Sequence, residues 1–167
     1  AGVRRNAVQI LAESKFAAEP EFGAMIIEAG LLRDADGQVR LAAFLAIADA
    51  QTSSTAAAVL NALTDSEVLA DRWLLDAATA AAARNDEGVL TAALDKNAKL
   101  PQAATRERIS IVAQHFARGE DADAKIGKLL VAATSADPQA ASMILAGFDK
   151  GWPRDKKAAL TDEQELA

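Results

Sequence analysis

Val3-Arg4-Arg5-Asn6-Ala7-Val8-Gln9-Ile10-Leu11 and Val39-Arg40-Leu41-Ala42-Ala43-Phe44-Leu45-Ala46-Ile47 share the pattern Val-Arg-x-x-Ala-x-x-x-Leu/Ile. The fold follows from that match. The three apolar positions of each stretch fall four residues apart, which places them on one face of an α-helix. A helical pattern that returns after 36 residues marks a stack of helical hairpins. Each hairpin cannot bury its apolar side alone and closes it on its neighbours.

Composition agrees. Of 167 residues, 51% are hydrophobic but only 4% aromatic, and tyrosine is absent. Much of the apolar content is alanine, which favours helix and lets helix axes approach closely. No stretch alternates Val, Ile, Thr and aromatic residues in the manner of a strand. The chain therefore reads as all-α, an α-solenoid of about four to five hairpins over residues 1–152, followed by a polar tail, 153–167, that either starts a further helix at Thr161 or is disordered. A net charge of −6 opposes a nucleic-acid partner, because phosphate binding needs a basic stripe, and Arg4-Arg5 and Lys156-Lys157 are too small to supply one. Absence of cysteine removes thiolate catalysis, zinc–cysteine sites and covalent haem attachment. No apolar run reaches the ~18 residues that span a bilayer, so no membrane insertion is expected.

The first helix reads as the second half of a hairpin, so its partner is expected outside these residues. Four full hairpins follow, pairing Glu21–Leu32 with Gln38–Ala50, Ser54–Leu63 with Leu69–Arg84, Glu87–Asp95 with Arg106–Ala117, and Ala122–Ala133 with Pro138–Phe148. Asp34-Ala35-Asp36-Gly37 supplies turn and N-cap chemistry, and Thr64-Asp65-Ser66-Glu67 joins the helices of the next hairpin. Pro101 lies in a longer connector, and Pro138 suits a first helical turn. Matching hydrophobic residues aligns Val3, Val39, Trp73, Ile109 and Ala140, spaced by 36, 34, 36 and 31 residues.

From this alignment come the structural anchors and the candidate site. Val39, Trp73 and Ile109 are expected in the core, Trp73 rather as a packed anchor than as a stacking platform. Arg40 and Arg72, each beside an acidic turn, are expected to lock neighbouring hairpins by ion pairs rather than to line a charged groove. Trp152, in Gly151-Trp152-Pro153, is expected to cover the apolar end of the last hairpin, with Gly151 as a left-handed cap. Positions two and six beyond the anchors give a candidate docking row for a protein or an adjacent domain: Leu41, Leu45, Leu75, Thr79, Ile111 and His115. The competing reading buries that row between second helices. His115 has no second histidine or cysteine for a metal, and no spacing presents Ser110 to it as a nucleophile. Asp34-Ala35-Asp36-Gly37 lacks the later ligands of a calcium loop, and no Gly-rich phosphate loop occurs. No cofactor is expected.

The residues Asp71-Arg72-Trp73-Leu74-Leu75-Asp76-Ala77, Ala80–Asp86 and Gly151-Trp152-Pro153 resemble a HEAT-like region of large secreted or periplasmic bacterial proteins. In that family the helical array links a sugar-dehydrogenase-like β-propeller, a sugar-binding domain or a hydrolase domain to a c-type cytochrome domain. The resemblance implies a non-catalytic spacer and docking platform in a multidomain protein, in the periplasm or outside the cell. Haem binding does not carry over, since Cys-x-x-Cys-His is missing. HEAT-like enzymes, such as bilin lyases and alkylpurine DNA glycosylases, provide the alternative: a helical-repeat enzyme acting on a bound pigment, base or sugar. For the glycosylase likeness Trp73 and Asp76 supply an aromatic and a carboxylate, and the acidic balance opposes it.

Overall fold

The computed structural model describes residues 1–50, 55–100 and 102–161, and among these it contains ten α-helices and no strand. It divides into two compact units, Ala1–Asn85 and Asp86–Ala167, where the sequence suggested one array over 1–152. The start of the helix expected from Ser54, the connector residue Pro101 and the acidic stretch after Thr161 lie outside the described residues.

The first unit holds α1 (Gly2–Ala12), a 3₁₀ turn (Lys15–Ala18), α2 (Glu21–Glu28), a second 3₁₀ turn (Leu31–Arg33), α3 (Gly37–Asp49), α4 (Ala56–Ala62), α5 (Ser66–Ala70) and α6 (Arg72–Arg84). Two expected helices are broken in the structure. The helix expected over Glu21–Leu32 stops before Gly30, whose φ of 68° is left-handed and open only to glycine at low cost. The helix expected over Leu69–Arg84 breaks at Asp71, whose carboxylate accepts hydrogen bonds from Trp73 N at 2.8 Å and Leu74 N at 3.1 Å and so starts α6 afresh. Asp36 starts α3 in the same way, bonding Gln38 N at 2.9 Å and Val39 N at 3.2 Å. Asp65 does so for α5, a helix where a turn was expected.

Helices α1, α3 and α6 pack in succession, α1 on α3 and α3 on α6. Their N-terminal ends lie together. Arg4, in the first turn of α1, makes a two-pronged bond to Asp34 just before α3, at 2.7 and 2.9 Å. The starts of α3 and α6 line one shared hollow. Arg40 reaches ahead as Arg4 does, bonding Glu67 of α5 at 2.6 Å. The core runs through Val39, Ala43, Phe44 and Ile47 of α3 and Leu74, Ala78, Ala81 and Ala82 of α6, closed by Phe22, Ile26, Val59, Leu63 and Val68 of the shorter helices.

The second unit holds α7 (Asp86–Ala93), α8 (Ala103–Arg118), α9 (Ala122–Ala133) and α10 (Pro138–Gly151). Asp137 caps α10, with bonds of 3.0 Å to Gln139 N and Ala140 N. Helices α8 and α10 approach unusually closely. A Cβ built on Gly147 would lie 2.6 Å from both Ala113 Cβ and Ser110 O, and one on Gly151 would strike Gln114 O and Ala117 Cβ. Gly151 is thus a helical residue in a tight seam, and not the left-handed cap expected of it. The adjoining core contains Ile109, Val112, Phe116, Ile144 and Phe148, with the Phe116 and Phe148 rings 5.6 Å apart.

The polar tail is tied down as far as it is described. Lys156 Nζ donates to Gly119 O at 3.1 Å and Glu120 O at 2.8 Å and pairs with Asp123 at 3.2 Å. Trp152 Nε1 donates to Lys156 O at 2.7 Å, and Ala159 N to Asp123 O at 3.1 Å. Lys156 holds the Asp123 carboxyl below its ordinary pKa, chiefly by hydrogen bonding to it.

Candidate docking surface

Counting from the helix caps gives the register that burial follows. Val39, Leu74, Thr105 and Ala140 stand third after Asp36, Asp71, Gln102 and Asp137, and all four are buried. Four residues later Ala43, Ala78, Ile109 and Ile144 are buried as well. Hydrophobic matching had aligned Trp73 with Val39, one residue early. On a helix one residue is a rotation of about 100°. Trp73 therefore points away from the core and is 69% exposed, while Leu74 beside it is 2% exposed. The expectation of Trp73 as a packed anchor is corrected accordingly. Val39 and Ile109 are buried, Ile109 one turn further along its helix than the alignment assumed.

The same shift splits the candidate row. Leu75 and Thr79 are buried, with the Thr79 hydroxyl donating to Leu75 O at 2.7 Å. They belong to the packing of α6 and not to an outward surface, which corrects their place in the row. Leu41 is half-buried, Leu45 is 48% exposed and Ile111 is 39% exposed. Leu45 and Ile111 each stand ninth after a cap, and so do Ala80 and Ala146. All four are exposed.

In the first unit this surface has a definite centre. Gly37, Gln38 and Leu41 of α3, with Asp71, Trp73 and Leu74 at the start of α6, line a shallow hollow of about 270 Å³. The indole of Trp73 stands at its edge, with the Arg72 guanidinium 5.7 Å from the ring centroid. Arg72 is largely exposed and lies 3.9 Å from Asp76 one turn on. Its ion pair lies within its own helix, unlike the link of Arg40 to α5, and the position equivalent to Arg40 on α6 is the buried Leu75. Leu45 lies one turn beyond Leu41 on the same face of α3. Trp73 and Gln38 were not expected here. The signal that could have found them was the repeated cap, Asp36 and Asp71, read ahead of the hydrophobic match.

In the second unit Ile111 shares α8 with His115. The His115 ring is exposed, and its Nδ1 lies 3.0 Å from Asp86 Oδ2 at the start of α7. His115 lies in the last turn of α8, and Asp86 in the first turn of α7, where the helix dipole favours a carboxylate. Ser110 precedes His115 by five residues, about 140° around the helix, so the hydroxyl is not presented to the imidazole. Among the described residues no group of three His, Cys, Asp or Glu side chains could hold a metal ion. No helix among them is long and apolar enough to cross a membrane.

No family model matches the chain, and neither a curated protein nor a solved structure matches it.

Proposed function

We propose that the protein is a non-catalytic helical-repeat scaffold that docks another protein or an adjacent domain on the outward face of α3 and α6. One observation carries this reading: a largely exposed tryptophan stands at the edge of a hollow between two helix N-termini, with Leu41 in its lining and the exposed Leu45 one turn further along α3. Helix packing does not require these side chains, since Leu74, Ala78 and Ala43 already close the core. An exposed tryptophan with neighbouring aliphatics is the composition of a binding hot spot, and a shallow hollow suits an inserted side chain better than an enclosed small substrate.

The resemblance to bacterial HEAT-like regions supports a wider proposal. The helical array serves as a spacer within a multidomain protein, outside the cytoplasm, with a sugar-active or cytochrome domain as neighbour. The stack-of-hairpins architecture belongs to this proposal too. It draws support from the successive packing of α1, α3 and α6 and from the cap register of about 35 residues between α3 and α6.

A photoreactive amino acid placed at Leu45 in cells producing the protein tests the docking face, with the exposed Ala57 of α4 as control. The expected result is a discrete crosslinked product from position 45, absent from position 57 and lost with Trp73→Glu. Equal products from both positions, or insensitivity to Trp73→Glu, refutes the reading.

A further inference from the structure

A second hollow of the first unit differs in character from the one beside Trp73. It lies between the 3₁₀ turn after α2, which brings Leu32 and Arg33, and the α4–α5 corner, which brings Asn61, Ala62, Asp65 and Val68. Its volume is about 370 Å³, inside the range of about 300–1,000 Å³ that small-ligand sites occupy. Leu32, Ala62 and Val68 are buried and make its floor apolar. Arg33 and Asn61 are exposed and Asp65 is half-buried, so the polar groups stand at its mouth.

These polar groups are not consumed by the fold. Arg4, Arg40 and Arg72 each pair with a carboxylate, whereas Arg33 has no such partner among the described residues. Asp65 caps α5 with Oδ1 alone, which accepts from Glu67 N at 2.8 Å and Val68 N at 3.3 Å. Its Oδ2 and the Asn61 carboxamide have no partner among the described residues. A single exposed ion in water is ordinary. Here a cation, an anion and an amide stand around one apolar floor, and the two charges do not pair with each other. A simple anion would be repelled by Asp65 and a simple cation by Arg33. A ligand that carries both charges beside an apolar body satisfies all of them. We infer that this cleft binds a small zwitterion of the aliphatic α-amino acid class. The ligand carboxylate takes the forked guanidinium of Arg33. Its ammonium donates to Asp65 Oδ2 and Asn61 Oδ1, and its alkyl group lies on Leu32, Ala62 and Val68. The cleft is separate from the outward face of α3 and α6, and stands whether or not that face docks anything.

L-Leucine is the probe, titrated into the full chain while the methyl resonances of Leu32 and Val68 are followed by NMR, with Ile144 of the second unit as reference. 4-Methylpentanoate, which lacks the ammonium, and 3-methylbutylamine, which lacks the carboxylate, are titrated in parallel. The expected result is saturable binding of leucine with shifts at Leu32 and Val68 and none at Ile144, and binding of either analogue weaker by about tenfold or more. Arg33→Gln weakens leucine by a similar factor without further weakening the amine. Asp65→Asn, which keeps an acceptor for the α5 cap, weakens leucine without further weakening the acid. Arg33 makes no contact that folding needs, so an unchanged Tm for Arg33→Gln separates lost binding from lost structure. No saturable shift with leucine, an analogue that binds as tightly as leucine, or leucine binding indifferent to Arg33→Gln overturns the inference.

Discussion

Gly147→Ala reverses the usual sign of a glycine substitution in a helix. In an open helix interior, alanine in place of glycine stabilises by about 0.5–1 kcal/mol. Gly147 lies inside α10, and the added methyl would sit 2.6 Å from Ala113 Cβ and from Ser110 O. Ordinary contact is about 3.5–4.0 Å, so α8 and α10 must separate by about 1 Å along a seam that includes Ile109, Phe116, Ile144 and Phe148. Overpacking of this kind costs about 1–3 kcal/mol. Here one of the obstructing atoms belongs to the backbone and cannot rotate away, which puts the cost near the upper end. After the helix-propensity gain, the net destabilisation is about 2 kcal/mol, or about 4–8 °C in Tm for a chain of this size. Urea and thermal unfolding measure it, with Gly2→Ala as control, since nothing lies within 4 Å of a Cβ there. Adding Ala113→Gly to Gly147→Ala should recover part of the loss by removing one of the two obstructions. A neutral or stabilising Gly147→Ala would falsify the close approach of α8 and α10.

Two further outcomes follow from register and charge. Leu74→Ala should lower stability by about 2–5 kcal/mol, as for other buried leucines, and Trp73→Ala by no more than about 1 kcal/mol, as for surface changes; chemical denaturation of the two variants decides, and a larger loss at Trp73 refutes the cap register. Asp34 titrates below its ordinary value of 3.8, held down first by hydrogen bonds from Arg4 and then by the Asp36 N–H. A depressed folded value means that its contribution is present above pH 3.8 and is lost as pH falls through the folded pKa. Tm curves of the wild type and Asp34→Asn should therefore differ near neutral pH and converge in acid, and a constant difference at every pH contradicts the linkage.

The helical class and most element positions were legible from local chemistry. Alanine-rich sequence with four-residue apolar spacing favours helix wherever it sits, and aspartates at turns mark starts through bonds to their own backbone. Those interactions lie within a few residues of one another, so Asp36 and Asp137 could be read without a fold. The direction of each side chain was another matter. Hydrophobic matching treated Trp73 as the counterpart of Val39, and a one-residue error turned the expected surface about 100° into the core, taking Leu75 and Thr79 with it.

Sequence by itself determined that the chain is helical, where the turns before α3 and α10 fall, and that Val3–Leu11 and Val39–Ile47 share one pattern. Only the tertiary structure decided which copy is covered, that Gly147 and Gly151 serve helix contact rather than helix termination, and that Trp73 faces outward. The physical reason is that propensity and capping act along the backbone, whereas burial depends on which other helix arrives at a given face. Val3 and Ala7 of α1 are therefore exposed, whereas Val39 and Ala43 of α3, the same residue types, are enclosed.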